Sequence, residues 1–200
     1  MSLAKDVEFA KDFGIWLHEM TNDKLFPNPN LEMVGMALLQ NVLDVDDAII
    51  ILIETKLPGP ALALARPLFE NFVRGFWLWS CATEIEINAF LDGELDGKFW
   101  SVPKIPNLIN EIKKINVEAA TWFDTVYTNN KNLFDGFTHG GSEHVIRRCS
   151  GLIVEPNYSE EELRALVRLG VDIRYRIGRE LFLRLNVDSN ELETRLRQFN

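Results

Sequence analysis

Three charged residues follow one another at four-residue steps in a segment that is otherwise apolar and aromatic. They are Arg66, Glu70 and Arg74, within the stretch ARPLFENFVRGFWLW at 65–79. Residues four apart lie on the same face of a helix, so these three would form one polar line. If the line is exposed, it amounts to two ordinary ion pairs worth about 0.2–0.5 kcal/mol each. If it is buried, its charges must be paired and hydrogen-bonded.

Two histidines are the natural partners for this line. His139 and His144 flank a glycine pair at 140–141, where the missing side chains let a ligand or another helix come close. Convergence of Arg66, Glu70 and His139 would suit two kinds of chemistry. The arginines would hold a small anionic ligand while Glu70 orients them. Alternatively, His139 would act as a general acid/base while Arg66 stabilises developing charge, as in a hydrolase or RNase.

A structural interpretation stands beside both chemical ones. A buried Arg–Glu–His network can tie helices together without binding anything, because structural ion pairs resemble active sites in their electrostatics. Whether the protein is an enzyme is therefore left open, and a binding or interaction module is the preferred reading.

Further charged residues are candidates for the surroundings of this site. Asp44 and Asp47 share a face of the second helix, and Arg147 follows the glycine pair. The simpler interpretation makes the cluster Asp44, Asp46 and Asp47 a solvated face or a helix cap. It likewise makes His144 and Arg147 solvent-exposed residues on a short helix.

The spacing of the His, Cys, Asp and Glu residues matches no known pattern for a metal or cofactor site. Di-metal helical bundles need a Glu-x-x-His pair on each of two helices, and the chain has none. Cys81 and Cys149 are far apart and match no metal or redox spacing. We therefore predict neither a metal nor a cofactor.

The overall negative charge argues against one class of partner, nucleic acids. The chain has 200 residues, a formal net charge of −9 and a pI near 4.9. Nucleic-acid binders usually carry a basic surface, so this balance argues against a nucleic-acid partner. The longest apolar run, at 48–53, is too short to cross a membrane, and the N-terminus lacks the apolar core of a signal peptide. We expect a cytoplasmic protein with no membrane partner.

Helical periodicity dominates the chain. It predicts helices over 3–22, 31–56 and 61–82, one or two helices within 107–128, and a long helix opened by a capping box of Ser159 and Glu162. Pro67 should kink the third helix near Ala63 or start its regular part. A turn is expected at 26–30, and a glycine-broken loop just before the proline loop near 101–107.

These elements combine into one fold prediction. Alternating strand patterns and linkers are absent, so residues 1–200 should form a single all-α domain, an antiparallel helical bundle of five to seven helices. Gly170 and Gly178 lie eight residues apart on the apolar stripe of the long helix. We expect a homodimer, and these glycines would allow close helix–helix packing either in its interface or internally.

Two motifs carry a resemblance to a known family. Arg66-Pro67-Leu68-Phe69-Glu70 and Thr138-His139-Gly140-Gly141 resemble segments of an uncharacterised bacterial all-helical family of the domain-of-unknown-function type. The likeness would cover most of the chain, and it implies the fold but no known activity.

A more distant resemblance is to the HEPN helical domains, many of which are RNases. That resemblance implies a helical bundle with an Arg/Glu/His centre, often assembled as a dimer. The catalytic signature of the group is an arginine followed after four to six residues by histidine. No histidine in this chain has an arginine at that distance upstream. This departure argues against RNase activity.

Overall fold

The structure is a computed structural model, which describes residues 2–22, 29–92, 104–139, 141–150 and 152–199. Helices contain 81% of these residues, so the all-α prediction is confirmed. In chain order they are α1 Leu3–Thr21, α2 Pro29–Glu54, α3 Pro58–Ala63, α4 Ala65–Ser80, α5 Glu84–Leu91, α6 Ile105–Lys113, α7 Val117–Thr138, α8 Ser142–Ile146, α9 Glu160–Leu185 and α10 Asn190–Arg197.

The described part of the chain holds more helices than predicted. Eight of its helices have eight residues or more, against an expected total of five to seven. The excess comes from short helices such as α5, α6 and α10, which have eight or nine residues each. Caps and prolines divide the chain into shorter pieces than the apolar pattern indicates. Thr83 and Glu86, for example, form a capping box that opens α5.

Contacts group the residues into two compact units. Unit 1 consists of Met1–Pro27, Leu43–Leu68 and Asn132–Asn200, and unit 2 of Asn28–Val42 and Phe69–Lys131. The helices α2, α4 and α7 each contribute residues to both units. The single domain over residues 1–200 remains a prediction.

Unit 1 is organised around the long helix α9, against which α1, α3 and α10 pack. The apolar stripe of α1 is buried: Val7, Ala10, Phe13, Trp16 and Leu17. The capping box at the start of α9 is confirmed, because Ser159 and Glu162 each accept a hydrogen bond from the other's backbone N–H. This box fixes where the helix begins and therefore which of its residues face α1.

Unit 2 contains a cluster of aromatic rings from α4 and α7. The rings of Phe72 and Phe123 meet edge to face with their centroids 5.1 Å apart, a favourable arrangement for aromatic pairs. Glycine brings α2 close to α4. A Cβ on Gly35 would lie 2.8 Å from the backbone nitrogen of Trp79.

The proline in the third predicted helix acts as the sequence indicates. α3 ends at Ala63 and α4 begins at Ala65, so the break near Ala63 is confirmed. Pro67 lies in the first turn of α4, where a backbone N–H would have no partner within the helix. The proline therefore separates two helices and leaves Arg66 near the start of the second.

The segment after α8 differs from the prediction. β1 (Cys149–Ser150) and β2 (Ile153–Val154) pair antiparallel as a small hairpin. Strands of two residues are too short to show an alternating pattern, which explains why none was expected. The turn at 26–30 and the glycine-broken loop lie mostly outside the described residues. The proline loop predicted near 101–107 is wrong at its end, because α6 already begins at Ile105, with a proline at its first positions. No helix in the described ranges has the length and apolar character needed to cross a membrane.

Candidate functional site

A cluster of three polar side chains joins the start of α4 to the end of α7. The Nη1 group of Arg66 donates to Oδ1 of Asp135 at 2.6 Å and lies 2.7 Å from Nε2 of His139. The side chains of Arg66 and Asp135 are 27% and 46% exposed, and His139 is exposed. Arg66 and His139 are therefore brought together as predicted. Asp135 is a third member that the sequence did not indicate.

Local chain geometry explains this meeting. Asp135 lies in the last turn of α7, and the backbone N–H of His139 donates to its carbonyl at 3.1 Å. The chain then reverses, with the N–H of Gly141 bonded to the carbonyl of Gly136 at 2.9 Å. The reversal leaves His139 at the helix end, one turn beyond Asp135 on the same face. Gly140, part of the predicted motif, lies outside the described residues.

The contacts assign the protonation pattern of the cluster. A guanidinium group only donates hydrogen bonds, so Nε2 of His139 must accept the one from Arg66. The ring proton is then on Nδ1, and the imidazole is neutral in this arrangement. Arg66 is balanced by Asp135, a half-exposed carboxylate that can exchange this ion pair for water or another anion.

Glu70 and Arg74 form their own pair on α4. Nη2 of Arg74 donates to Oε2 of Glu70 at 2.9 Å, and both side chains are mostly buried. Nε of Arg74 is buried without a hydrogen-bond partner. The i,i+4 contact predicted from the spacing is thus present. The participation of Glu70 and Arg74 in a site with His139 remains a prediction.

His144 does not join His139, because it is used to hold α8. Its Nε2 donates to the backbone carbonyl of Phe137 at 2.7 Å, and its ring meets the Phe137 ring edge to face. The guanidinium of Arg147 lies 5.0 Å from the centre of the same ring and is bonded to Glu143 and Glu162. The expectation that His144 and Arg147 are solvent-exposed is wrong, since both are partly buried by these contacts.

The same ion cluster shifts the pKa of the Glu162 carboxyl group. Partial burial would raise the pKa of its carboxyl group, but hydrogen bonds from Arg147 and Ser159 outweigh that effect and lower the pKa below its ordinary value. The bond to Glu162 in turn raises the pKa of Arg147. This ion cluster ties α8 to the start of α9.

The best-buried ion pair of the described chain lies elsewhere, between α2 and α9. Nε of Arg174, which is 2% exposed, donates to Oδ2 of the fully buried Asp46. Its Nη2 donates to Asp47 at 2.5 Å. The interpretation of Asp46 as part of a solvated face is therefore wrong, whereas Asp44 and Asp47 are exposed as expected. Burial raises the pKa of the Asp46 carboxyl, and the charge of Arg174 only partly opposes this.

Two glycines make room for this buried pair. A Cβ on Gly170 would lie 2.7 Å from Cγ of Asp46, and closer still to Oδ1. A Cβ on Gly14 would lie 3.0 Å from Cζ of Arg174, and closer to Nη1. The sequence did contain a signal, because Gly170 precedes Arg174 by one turn on the apolar stripe of α9. A charge on such a stripe next to a glycine needs a buried partner of opposite charge.

Asp6 is a second buried acid, and the sequence analysis did not identify it. It is fully buried, and its Oδ2 accepts from Nε of Arg164 at 2.9 Å and of Arg168 at 3.4 Å. Its position one turn before Ala10, on the same face of α1, was the available signal. Both buried acids join other helices to α9.

The described residues form no group of three or more His, Cys, Asp or Glu side chains that could hold a metal ion. The Arg66 cluster itself offers a cation, a carboxylate and an imidazole, which suit exchange of anions at Arg66 and proton transfer at His139.

The model of a family described as "Family of unknown function (DUF6988)" matches residues 40–171, about two thirds of the chain. The matched segment includes Arg66, Asp135 and His139. No curated protein and no solved structure matches the chain. The resemblance to an uncharacterised family is confirmed at this level, while the HEPN likeness and the bacterial origin remain predictions. The chain belongs to the family of unknown function DUF6988.

Proposed function

We propose that the protein is a helical binding module in which Arg66 and His139 contact an anionic group of a small ligand. The observation that carries the proposal is the shared contact of Nη1 of Arg66 with Asp135 and with the exposed ring of His139. Arginine is well suited to phosphate and carboxylate groups because its planar fork can donate two parallel hydrogen bonds. Glu70 and Arg74 extend the proposed site along α4.

Asp135 has a defined place in this mechanism. In the absence of ligand it accepts a hydrogen bond from Arg66 and balances its charge. A ligand anion competes with Asp135 for Arg66. When the half-exposed carboxylate is displaced, it rotates into the solvent and is hydrated there. Exposed ion pairs are worth only about 0.2–1 kcal/mol, so the exchange is energetically easy. Asp135 would therefore lower the affinity of the site and exclude weakly bound anions.

The experiment uses inorganic phosphate and pyrophosphate as probes. Chemical shifts of the His139 ring protons are followed by NMR while each anion is added. We expect Arg66→Gln to abolish the response and Asp135→Asn to raise the affinity about 1.4- to 5-fold, the factor that corresponds to an exposed ion pair. Arg197→Gln is the matched control, because Arg197 is a highly exposed arginine on α10 and its loss changes the net charge equally.

The opposite response of the two variants is what makes the test specific. General electrostatic attraction would weaken binding by the same amount in Arg66→Gln and Arg197→Gln. A site without competition would leave Asp135→Asn unchanged or weaker. Either result, in a variant with an unaltered circular dichroism spectrum, would refute the proposal.

The exposure of His139 favours one alternative, a hydrolase or RNase with His139 as general acid/base. A sealed histidine would have excluded it, and this ring is open to solvent. The test is cleavage of a fluorescent single-stranded RNA by the wild type and by His139→Ala. Cleavage that His139→Ala removes, with the fold intact, would favour the enzyme. Phosphate binding without any cleavage would favour the binding module.

A further inference from the structure

The hydrogen bond between Arg66 and His139 limits how the proposed site can meet a ligand. Nη1 of Arg66 lies 2.7 Å from Nε2 of His139, and because a guanidinium group only donates, Nε2 presents a lone pair there. A carboxylate, a sulfate or a fully ionised phosphate also presents only lone pairs. Two acceptors form no hydrogen bond with each other. Contact between an anion and Nε2 of His139 therefore requires a proton on that nitrogen.

The charges of the cluster lead to the same requirement. In the free protein Arg66 is positive, Asp135 is negative and His139 is neutral, so the three side chains together carry no net charge. A monovalent anion alone would give the cluster one net negative charge, on a chain that already carries −9. Uptake of one proton by the imidazole makes the cluster neutral again. Since like charges in a compact protein repel one another, the anion and the proton favour each other's binding.

Asp135 is placed to stabilise the charged ring. The backbone N–H of His139 donates to the carbonyl of Asp135 at 3.1 Å, so the two residues are one helical turn apart and their side chains share a face. When a ligand takes Arg66, the carboxylate is hydrated but stays one turn from the imidazole. A neighbouring negative charge favours the charged form of histidine. Displacement of Asp135 from Arg66 therefore favours protonation of His139.

The other charged side chains of these elements belong to ion pairs. On α4, Arg74 is bonded to Glu70. On α8, Arg147 is bonded to Glu143 and, across to α9, to Glu162. The cluster on α8 and α9 contains two carboxylates and one guanidinium group, so its net charge is negative. It adds no positive charge that would oppose a proton on the imidazole.

His139 is the histidine that can couple its charge to Arg66. The chain has three histidines. Nε2 of His144 is bonded to the carbonyl of Phe137 at 2.7 Å, and His18 is an exposed residue of α1. Histidine is the side chain whose charge changes between pH 5 and 8. Proton uptake linked to a ligand on Arg66 in this range is therefore expected from His139.

We propose that the site binds an anion together with a proton: the anion replaces Asp135 on Arg66, and His139 takes a proton from the solvent at Nε2 and donates it in a hydrogen bond to the anion. This inference rests on the proposed function and adds to it the pH dependence of binding. One anion and one proton enter, and Nδ1 keeps the proton that it already carries. Because a proton is taken up, the affinity for the anion rises as the pH falls.

The experiment uses sulfate as the probe. Sulfate is fully ionised near neutral pH, whereas phosphate, with a second pKa of about 6, can bring a proton of its own. Amide chemical shifts of residues 135–139 are followed by NMR while sulfate is added at several pH values. Above about pH 7 the dissociation constant should rise about three- to tenfold per pH unit, which corresponds to uptake of half to one proton. Nitrogen-15 shifts of the His139 ring should show protons on both nitrogens in the sulfate complex.

His139→Gln separates this linkage from the general effect of pH on an acidic protein. A glutamine side chain can accept a hydrogen bond from Arg66 and donate one to the anion, but it takes up no proton in this pH range. The variant should therefore bind sulfate with an affinity that no longer changes with pH. His18→Gln is the matched control, because it removes an exposed histidine of α1, and it should keep the pH dependence of the wild type.

Asp135→Asn tests the charge count. Without the carboxylate the free cluster carries one net positive charge, so an anion alone makes it neutral. The variant should bind sulfate more tightly than the wild type at about pH 8, and its affinity should change less with pH. A carboxylate that only holds the end of α7 in place would leave the pH dependence unchanged.

Failure of this inference can be told apart from failure of the proposed function. If neither phosphate nor sulfate shifts the amide signals of residues 135–139 at any pH, the proposed function itself is wrong. If phosphate binds, three results would each overturn only the coupling to a proton. They are absence of sulfate binding, a sulfate affinity that does not change with pH or changes equally in His139→Gln, and a His139 ring with a proton on Nε2 alone. The last result would show a change of tautomer in place of proton uptake.

Discussion

Replacing Gly170 by alanine tests whether the buried ion pair depends on the glycine beside it. The new Cβ would lie 2.7 Å from Cγ of Asp46 and nearer to Oδ1. Asp46 is fully buried and bonded to Arg174, so it has no room to turn away without losing that bond. The substitution should therefore separate the pair rather than shift a flexible side-chain end.

The expected size of the effect follows from two opposing contributions. Alanine in a helix is more favourable than glycine by about 1 kcal/mol. Breaking a buried ion pair costs about 3–5 kcal/mol. The net loss in the free energy of unfolding is then about 2–4 kcal/mol, which for a chain of this size lowers the melting temperature by about 4–16 °C.

Thermal unfolding followed by circular dichroism measures this loss, and Gly178→Ala is the matched control on the same helix. A Cβ on Gly178 would lie 3.0 and 3.2 Å from terminal methyl groups of Leu17 and Leu192, which can move by a few tenths of an ångström. The helix gains the same propensity at both positions. Gly178→Ala should therefore stay within about 1 kcal/mol of the wild type.

The reasoning is refuted by one specific outcome in a double-mutant cycle. In the Asp46→Ala background the clash partner is gone, so Gly170→Ala should be neutral or stabilising by up to about 1 kcal/mol. If the substitution costs the same with and without the Asp46 carboxylate, the clash is not its cause.

Two further predictions concern titratable groups. Hydrogen bonds lower the pKa of Glu162 in the folded protein, so this group contributes stability that is present above its ordinary value of 4.5 and lost as the pH falls through the folded pKa. Glu162→Gln, which keeps a capping-box residue, should lose less stability than the wild type on acidification from about pH 5 to 3, as measured by urea denaturation; an equal loss would contradict the assignment. Burial raises the pKa of the Cys81 thiol to about 11, whereas Cys149 is exposed. A disulfide reagent at neutral pH should therefore modify Cys149 rapidly and Cys81 only upon unfolding, and mass spectrometry of the tryptic peptides would reveal the opposite order.

Much of the helical fold could be predicted from the sequence, because its signals are local. The predicted range 3–22 matches α1 to within one residue, and the capping box at Ser159 places the start of α9. The hairpin after α8 could not be predicted, since a two-residue strand has no periodicity to detect. The periodicity of 107–128 also left open whether this range holds one helix or two. The structure has two, because α6 ends at Lys113 and a turn near Lys114 precedes α7.

The candidate site was predictable only in part, for a different reason. The contact of Arg66 with His139 was expected because a charged side chain on a largely apolar helix needs a polar partner if it is buried. The choice of Asp135 depends on how α7 ends, which is a property of the fold and not of spacing. The buried pair of Asp46 and Arg174 required knowing which acid of the cluster 44–47 faces inward. Asp44 and Asp47 share one exposed face of α2 and Asp46 lies on another, and the packing of α9 against α2 buries Asp46 alone.

The burial of the two ion pairs separates their roles. Exchanging Asp46 for another anion at Arg174 would break a sealed pair, at a cost of about 3–5 kcal/mol, and Gly14 and Gly170 leave no space for a ligand. Exchanging Asp135 at Arg66 would cost about 0.2–1 kcal/mol, and both side chains are reached by solvent. A weakly held carboxylate beside an exposed histidine can be replaced by a ligand without disturbing the helices, while the sealed pair keeps α2 and α9 in register. Ligand exchange should therefore occur at Arg66 without breaking the buried pair of Asp46 and Arg174.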